Sequence, residues 1–159
     1  MNESVTYSDM KLGVEVNTTG YLRRWRQAEY NYLDGVLGDK GIYCSAIDLF
    51  KWDQGLYSGK IINIDTLNLA FQPLGKPQHF KSNYGYGWRM YNWGDNSPKI
   101  LFHAGWWHGY RSLLMRITSD STTIIVLKNR SKGASISSKK LLQILYPNNL
   151  PKIDTLVVK

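Results

Sequence analysis

A single cysteine, Cys44, stands among the 159 residues, so the chain can form neither an internal disulfide nor a cysteine-based metal site. Histidine is nearly as scarce. His79, His103 and His108 have neither the spacing nor the acidic neighbours of a zinc site. No apolar run reaches the length of a membrane-spanning helix, and no signal peptide, internal repeat or low-complexity tract is visible. Acidic residues are nearly missing from the end of the chain: after Thr122, Lys128, Arg130, Lys132, Lys139, Lys140, Lys152 and Lys159 face only Asp154, within a formal net charge of +8. Such an end is either a solvated face or an attractor of anionic envelope polymers or lipids. Nucleic-acid binding is the lesser alternative. It draws on this charge and on Arg23, Arg24 and Arg26 near Tyr21 and Trp25, but no recognisable nucleic-acid module accompanies them.

What is present reads as helices followed by strands. Ser45 can cap a helix whose first turn carries Asp48, with Ile47, Leu49, Phe50, Trp52 and Leu56 at helical spacing through Tyr57 and Gly59 as a stop. Asn63 can cap a second, shorter helix. Asp65 suits its first turn, Leu67, Ala70 and Phe71 give an apolar stripe, and Pro73 ends it. Beyond Gly75 the pattern changes to period two with aromatic and β-branched residues, which suit a half-buried pleated surface. Strands are predicted near Tyr86–Trp93, Lys99–His103, Tyr110–Ile117 and Thr122–Asn129. The links are Gly94-Asp95-Asn96, Gly105 to Gly109, and Thr118 to Ser121. Such short links make the strands antiparallel neighbours. A last helix is expected between Gly133 and Tyr146, carrying Ile136, Leu141, Leu142, Ile144 and Leu145 and ended by Pro147. The expectation is an α+β fold, an antiparallel β-sheet meander flanked by helices. It divides into an irregular N-terminal segment (1–40), a folded portion (41–146) and a tail (147–159). Residues 1–20 and the tail are the expected loosely held ends.

The order helix, helix, Tyr84-Gly85-Tyr86-Gly87-Trp88, His103-Ala104-Gly105, Gly109-Tyr110, Ile124 to Leu127, Asn129-Arg130, helix resembles the C-terminal part of the serine β-lactamase-like family. Within it, the chain looks most like the class C branch of β-lactamases, D-alanyl-D-alanine carboxypeptidases and esterases. The resemblance runs from about Thr19 to Tyr146 and implies part of a β-lactamase/transpeptidase-like fold. That family uses a Ser nucleophile in S-x-x-K, a second-motif Tyr or Ser, and a third K-T-G or H-x-G motif on the strand lining the cleft. His103-Ala104-Gly105 matches the third motif. It makes His103 the candidate catalytic residue, a hydrogen-bonding group that titrates near physiological pH. Ala104 and Gly105, with Trp106 and Trp107 as an aromatic wall, become candidate substrate-binding residues. Ala104 stands where the β-lactamase version has a hydroxyl residue, which leans the reading towards peptidases or esterases.

The other motifs do not match. S-x-x-K occurs as Ser8-Asp9-Met10-Lys11 and as Ser137-Ser138-Lys139-Lys140, both in the wrong place relative to His103, and Tyr146-Pro147-Asn148 is also out of order. The expectation is therefore a C-terminal fragment of a class C-like serine hydrolase, inactive alone, with no cofactor and no metal. The parent's substrate would be a small molecule or peptide. By the same resemblance, the strand Thr122–Asn129 would lack its neighbour, and the open edge would pair with the N-terminal half or with another copy. Relatives imply a periplasmic or exported protein. A different class of answer is a stand-alone glycan- or peptidoglycan-binding module using the loop at Trp106–Tyr110. Arg116 is expected to be a solvated residue of the meander, and Cys44 to pack as a small hydrophobe.

Overall fold

In the computed structural model, residues 1–74, 82–91, 99–133 and 137–148 are described. The chain opens with β1 (Val5–Thr6) and α1 (Tyr7–Lys11), followed by 3-10 turns at Arg23–Trp25 and Tyr32–Gly35, and β2 (Ile42–Tyr43). Helices α2 (Ala46–Tyr57) and α3 (Ile64–Ala70) come next. Strands β3 (Ser82–Tyr84), β4 (Arg89–Tyr91), β5 (Ile100–Trp107), β6 (Tyr110–Ile117) and β7 (Thr122–Lys128) follow, and α4 (Ser138–Leu145) closes the described part. β3 to β7 form one antiparallel sheet in chain order, while β1 and β2 pair separately. Among the described residues no helix is long and apolar enough to cross a membrane.

The helix signals act where the sequence places them. Ser45 Oγ accepts from Asp48 N at 3.1 Å and caps α2, and Asn63 Oδ1 accepts from Asp65 N at 2.8 Å and caps α3. Asp48 has a second task. Its carboxylate accepts from Glu3 N and Ser4 Oγ, each at 3.0 Å, and these bonds, the Glu3 N–H foremost, hold its pKa down to about 2. The opening residues are therefore tied down rather than loose. Further on, Tyr110 Oη donates to Thr18 O and Asn129 Nδ2 to Thr19 O, each at 3.0 Å. A chain of rings, Tyr7 to Tyr30, Tyr30 to Tyr43 and Tyr43 to Tyr110, carries the N-terminal segment onto the start of β6. Cys44, just before α2, is half-buried, and burial pushes its thiol pKa up.

Period-two alternation in the strands divides the core between the two faces of the sheet. On one face Ile100, Phe102, Leu113, Met115 and Ile117 pack with Leu142 of α4. On the other, Met90, Leu101 and Leu114 pack with Leu56 of α2, Leu67 and Phe71 at α3, and Trp88. This second face also holds Arg116, which is 0% exposed and so is not the solvated residue expected. Its Nε lies 3.0 Å from Asp53 Oδ1 on α2, and Thr123 Oγ1 donates to Asp53 Oδ2 at 2.7 Å. The guanidinium lies 3.7 Å over the Tyr57 ring, with Phe71 and Trp88 at 5.3 and 5.6 Å. The aromatic faces and the carboxylate stand in for the water it has lost.

Two strand boundaries differ from expectation. β5 runs to Trp107 instead of stopping at His103, because Trp106 pairs with Arg111 and Trp107 with Tyr110. The link shrinks to His108 and Gly109, both at positive φ (37° and 89°), the conformation a two-residue hairpin needs to follow the strand twist. A side chain at Gly109 would also press within 2.4 Å of Tyr21 N. The expected strand Tyr86–Trp93 begins later, at Arg89, as β4, with Asn92 and Trp93 lying outside the described residues, and β3 precedes it across a turn with Gly87 at φ 78°. The link Gly94-Asp95-Asn96 and the tail beyond Asn148 lie outside the described residues.

Candidate functional site

The site grows from the register of β5. Leu101, His103, Gly105 and Trp107 share the face towards α2 and α3, but the helices cover only the Leu101 end, and His103 is left exposed where that cover stops. Tyr84 Oη lies 3.4 Å from His103 Nε2, and the two rings meet edge to face with centroids 6.3 Å apart. The Arg89 guanidinium stands 5.6 Å above the Tyr84 ring. Partial burial, and secondarily the positive charge of Arg89, pull the His103 pKa below its ordinary value. At neutral pH the imidazole is therefore uncharged and can donate or accept one hydrogen bond at each nitrogen.

Gly105 lies one alternation further on, opposite Ser112. A Cβ there would sit 2.8 Å from Ser112 Oγ, so glycine leaves room for that hydroxyl beside the strand. Ala104 turns its methyl to the opposite face, against the α4-side cluster. Trp106 is 72% exposed.

Trp107 occupies a more crowded place. Its Nε1 donates to Asp34 Oδ1, Lys40 Nζ sits 4.7 Å over its ring, and His108 stacks on it with centroids 4.6 Å apart. The ring is thus engaged within the chain by a cation and a stacked imidazole. Asp34 is only 1% exposed, and its Oδ1 also lies 3.1 Å from His108 Nδ1. Asn31 Nδ2 lies 3.2 Å from His108 Nε2. With the amide donating there, the ring proton falls on Nδ1, facing the carboxylate. Asn31 and Asp34 hold each other: the Asn31 side chain caps the 3-10 turn through Leu33 N at 2.8 Å, and Asp34 Oδ2 accepts from Asn31 N at 2.5 Å. The end of the motif strand is thereby fixed from the N-terminal segment.

The site as built contains residues that sequence reasoning did not assign: Asn31, Asp34, Lys40, Arg89 and Ser112. Asn31-x-x-Asp34 carries a legible signal, since it is an N-cap residue with an acid three positions on. Nothing local marks the other three. The two S-x-x-K segments use their side chains elsewhere. Lys11 Nζ lies 5.2 Å over the Tyr7 ring, with Ser8 exposed on α1, and Ser137 Oγ accepts from Lys140 N as the cap of α4. Tyr146 Oη donates to Asp120 Oδ2 at 2.5 Å. Among the described residues no group of three or more His, Cys, Asp or Glu side chains is arranged to hold a metal ion.

The chain is similar to known proteins. Penicillin-binding protein 4* of Bacillus subtilis (strain 168) is 33% identical over 101 residues, which make up 64% of this chain and 22% of that protein. Among solved structures, the octameric penicillin-binding protein homologue from Pyrococcus abyssi matches with a TM-score of 0.73 over 96% of this chain and 37% of that one. At 22% identity it speaks to the fold. The chain therefore spans well under half the length of either relative. A family model described as Beta-lactamase matches residues 5–146, and the chain belongs to that family of serine hydrolase-like proteins.

Proposed function

We propose that the chain is the C-terminal part of a class C-like serine hydrolase acting on a β-lactam, a D-Ala-D-Ala peptide or an ester, and that it is inactive alone. The observation that carries this reading is the half-open strand end at His103 and Gly105: a neutral imidazole backed by the Tyr84 hydroxyl, beside a glycine that leaves the strand approachable. A serine outside this sequence would attack the acyl carbonyl, form an ester and break the bond to the amine or alcohol, which departs from a peptide or ester and stays tethered in an opened β-lactam; water would then cleave the ester and release the acid. His103 would donate a hydrogen bond to the substrate and to the charge developing on it, and Gly105 would let the substrate backbone lie close to β5. The present S-x-x-K serines suit no such role, since the Lys11 ammonium turns to Tyr7 and the Ser137 hydroxyl caps a helix.

Intact mass after incubation with a reactive penicillin and, separately, an activated ester tests this directly. No adduct is expected on the chain alone, and acylation is expected once the upstream part of the protein is supplied. A stoichiometric adduct that disappears in Ser8→Ala or Ser137→Ala would overturn the reading. The 72% exposure of Trp106 favours a second reading, a glycan- or peptidoglycan-binding module. Saturable quenching of Trp fluorescence by muropeptides, lost in Trp106→Ala, would support it.

A further inference from the structure

A small hairpin in the N-terminal segment takes no part in the site described above. Tyr21 bridges Gln27, Leu22 N donates to Arg26 O at 2.7 Å and Ala28 N to Gly20 O at 2.9 Å, so the chain doubles back over Arg23, Arg24 and Trp25. The hairpin is pinned beside the end of β7, where Tyr21 N donates to Asn129 O and Ser131 N to Tyr21 O, each at 2.8 Å. Its tip is costly to build. Arg24 and Trp25 sit at φ 58° and 61°, the left-handed region that ordinarily takes glycine or asparagine. Backbone strain of this kind is kept where the side chains serve more than the fold. Arg23, Arg24 and Arg26 are exposed, and Trp25 is 61% exposed. The pinning adds a fourth cation: the Arg130 guanidinium lies 3.8 Å over the Trp25 ring, which Tyr21 meets edge-on at 5.8 Å. Among the described residues none of these four arginines has a carboxylate partner, and Arg130 Nε is buried with no hydrogen-bond partner.

We propose that this tip docks on a bilayer surface carrying anionic phospholipid, with Trp25 entering the headgroup layer and the arginines around it binding lipid phosphates. Guanidinium suits that task. It holds phosphate oxygens two at a time and is more weakly hydrated than an ammonium, so it gives up less on leaving bulk water. An indole, with its apolar body and single N–H, belongs in the same layer. Ring and cation are already stacked on one another, so the pair needs little ordering as it enters. Single-stranded nucleic acid fits less well, because it is held along a groove by successive rings, whereas here one exposed ring stands at the tip of a turn. The proposal uses the hairpin and Arg130 alone and stands whether or not His103 serves acyl transfer.

Co-sedimentation with vesicles of equal parts phosphatidylcholine and phosphatidylglycerol tests this on the whole chain, alone and with the upstream part of the protein supplied. Partition into the mixed vesicles is expected in both cases, none into phosphatidylcholine alone, and a steep fall as added salt screens the arginines. Arg23→Gln, Arg24→Gln and Arg26→Gln together should weaken partition about a hundredfold, since each basic residue at such a surface is worth about fivefold. The same charge removed at the exposed Lys60, Lys139 and Lys140 should change it far less. Arg24→Asn combined with Trp25→Gly separates use from fold. Asparagine and glycine suit the left-handed backbone, so thermal stability should hold or rise while partition falls. Absence of partition, equal losses in the two charge-removal variants, unchanged partition after Arg24→Asn with Trp25→Gly, or release of the vesicles when the upstream part is supplied would each overturn the proposal. So would a labelled single-stranded oligonucleotide that binds more tightly than the vesicles and is lost with Arg23, Arg24 and Arg26, since the tip would then serve nucleic acid.

Discussion

The two faces of the β5–β6 pair come from alternate residues of the same strands, yet they do different things. Towards α4 the strands present Ile100, Phe102, Ala104, Leu113, Met115 and Ile117, all apolar, with Trp106 and Arg111 following only at the hairpin end. Towards α2 and α3 they present Leu101, His103, Gly105, Trp107, Ser112, Leu114 and Arg116. The first face is held by burial, which has no direction. The second is held at one end by burial and a buried ion pair, and at the other by hydrogen bonds reaching in from the N-terminal segment. Apart from Arg111 at the hairpin end, the polar side chains of this pair lie on one face, so the body of the other can anchor the sheet without constraint from the site.

The sharpest way to break this comparison is at the buried pair. Asp53→Ala leaves the Arg116 charge with no carboxylate in a site that excludes water, and is expected to cost about 3–5 kcal/mol. Phe102→Ala, on the apolar face, is expected to cost about as much through its cavity. The two are distinguished by rescue. Adding Arg116→Met to Asp53→Ala should restore much of the loss, because the orphaned charge is then gone, whereas no change at Arg116 should rescue Phe102→Ala. Urea unfolding of the wild type, the two single variants and each combined with Arg116→Met measures this. An Asp53→Ala loss no larger than that of a surface substitution would mean that the ion pair does not hold α2 to the sheet.

The same contrast explains what was legible in the sequence. The helix caps at Ser45 and Asn63 and the antiparallel order of β5, β6 and β7 are local signals, and the structure places them as read, whereas His103-Ala104-Gly105 falls inside β5 rather than at its end. The burial of Arg116 was not legible, because its carboxylate sits on a helix distant in sequence and an arginine on a strand reads as solvated by default. The length of β5 was obscured by His108, a non-glycine residue at positive φ, which hid a two-residue turn inside what looked like a longer link. Lys40 and Asp34 reach Trp107 from a segment that reads as irregular, so half of the site's support came from where periodicity has nothing to say.

That support invites a smaller perturbation. Asp34→Ala removes the acceptor for Trp107 Nε1 and the carboxylate beside His108, leaving the indole N–H of a half-buried ring without its partner. The expected loss is about 1–3 kcal/mol. It should be local, with faster hydrogen exchange at the β5–β6 turn and at the Trp107 indole, and unchanged protection of Met115 and Ile117 in the α4-side core. Asp34→Asn keeps an acceptor oxygen and should lose less. Equal loss of protection on both faces would show that the turn and the apolar core unfold as one unit.

The smallest effect concerns charge at the site itself. Burial first, and Arg89 second, lower the His103 pKa from 6.5, so protonation is easier in the unfolded chain than in the folded one. The stability that the neutral imidazole allows is present above the unfolded pKa of about 6.5 and is lost as pH falls through the folded value. NMR titration of the His103 ring should therefore give a midpoint below 6.5. Arg89→Gln should raise that midpoint without restoring it fully, because burial is the larger cause and remains. The variant should also flatten the decline of stability below neutral pH. If Arg89→Gln leaves the midpoint unmoved, the guanidinium is screened from the ring and burial alone keeps the imidazole neutral. If the midpoint returns to 6.5, the strand end is more open to water than its half-covered position indicates, and His103 would meet a substrate as a solvated side chain rather than a pre-set donor.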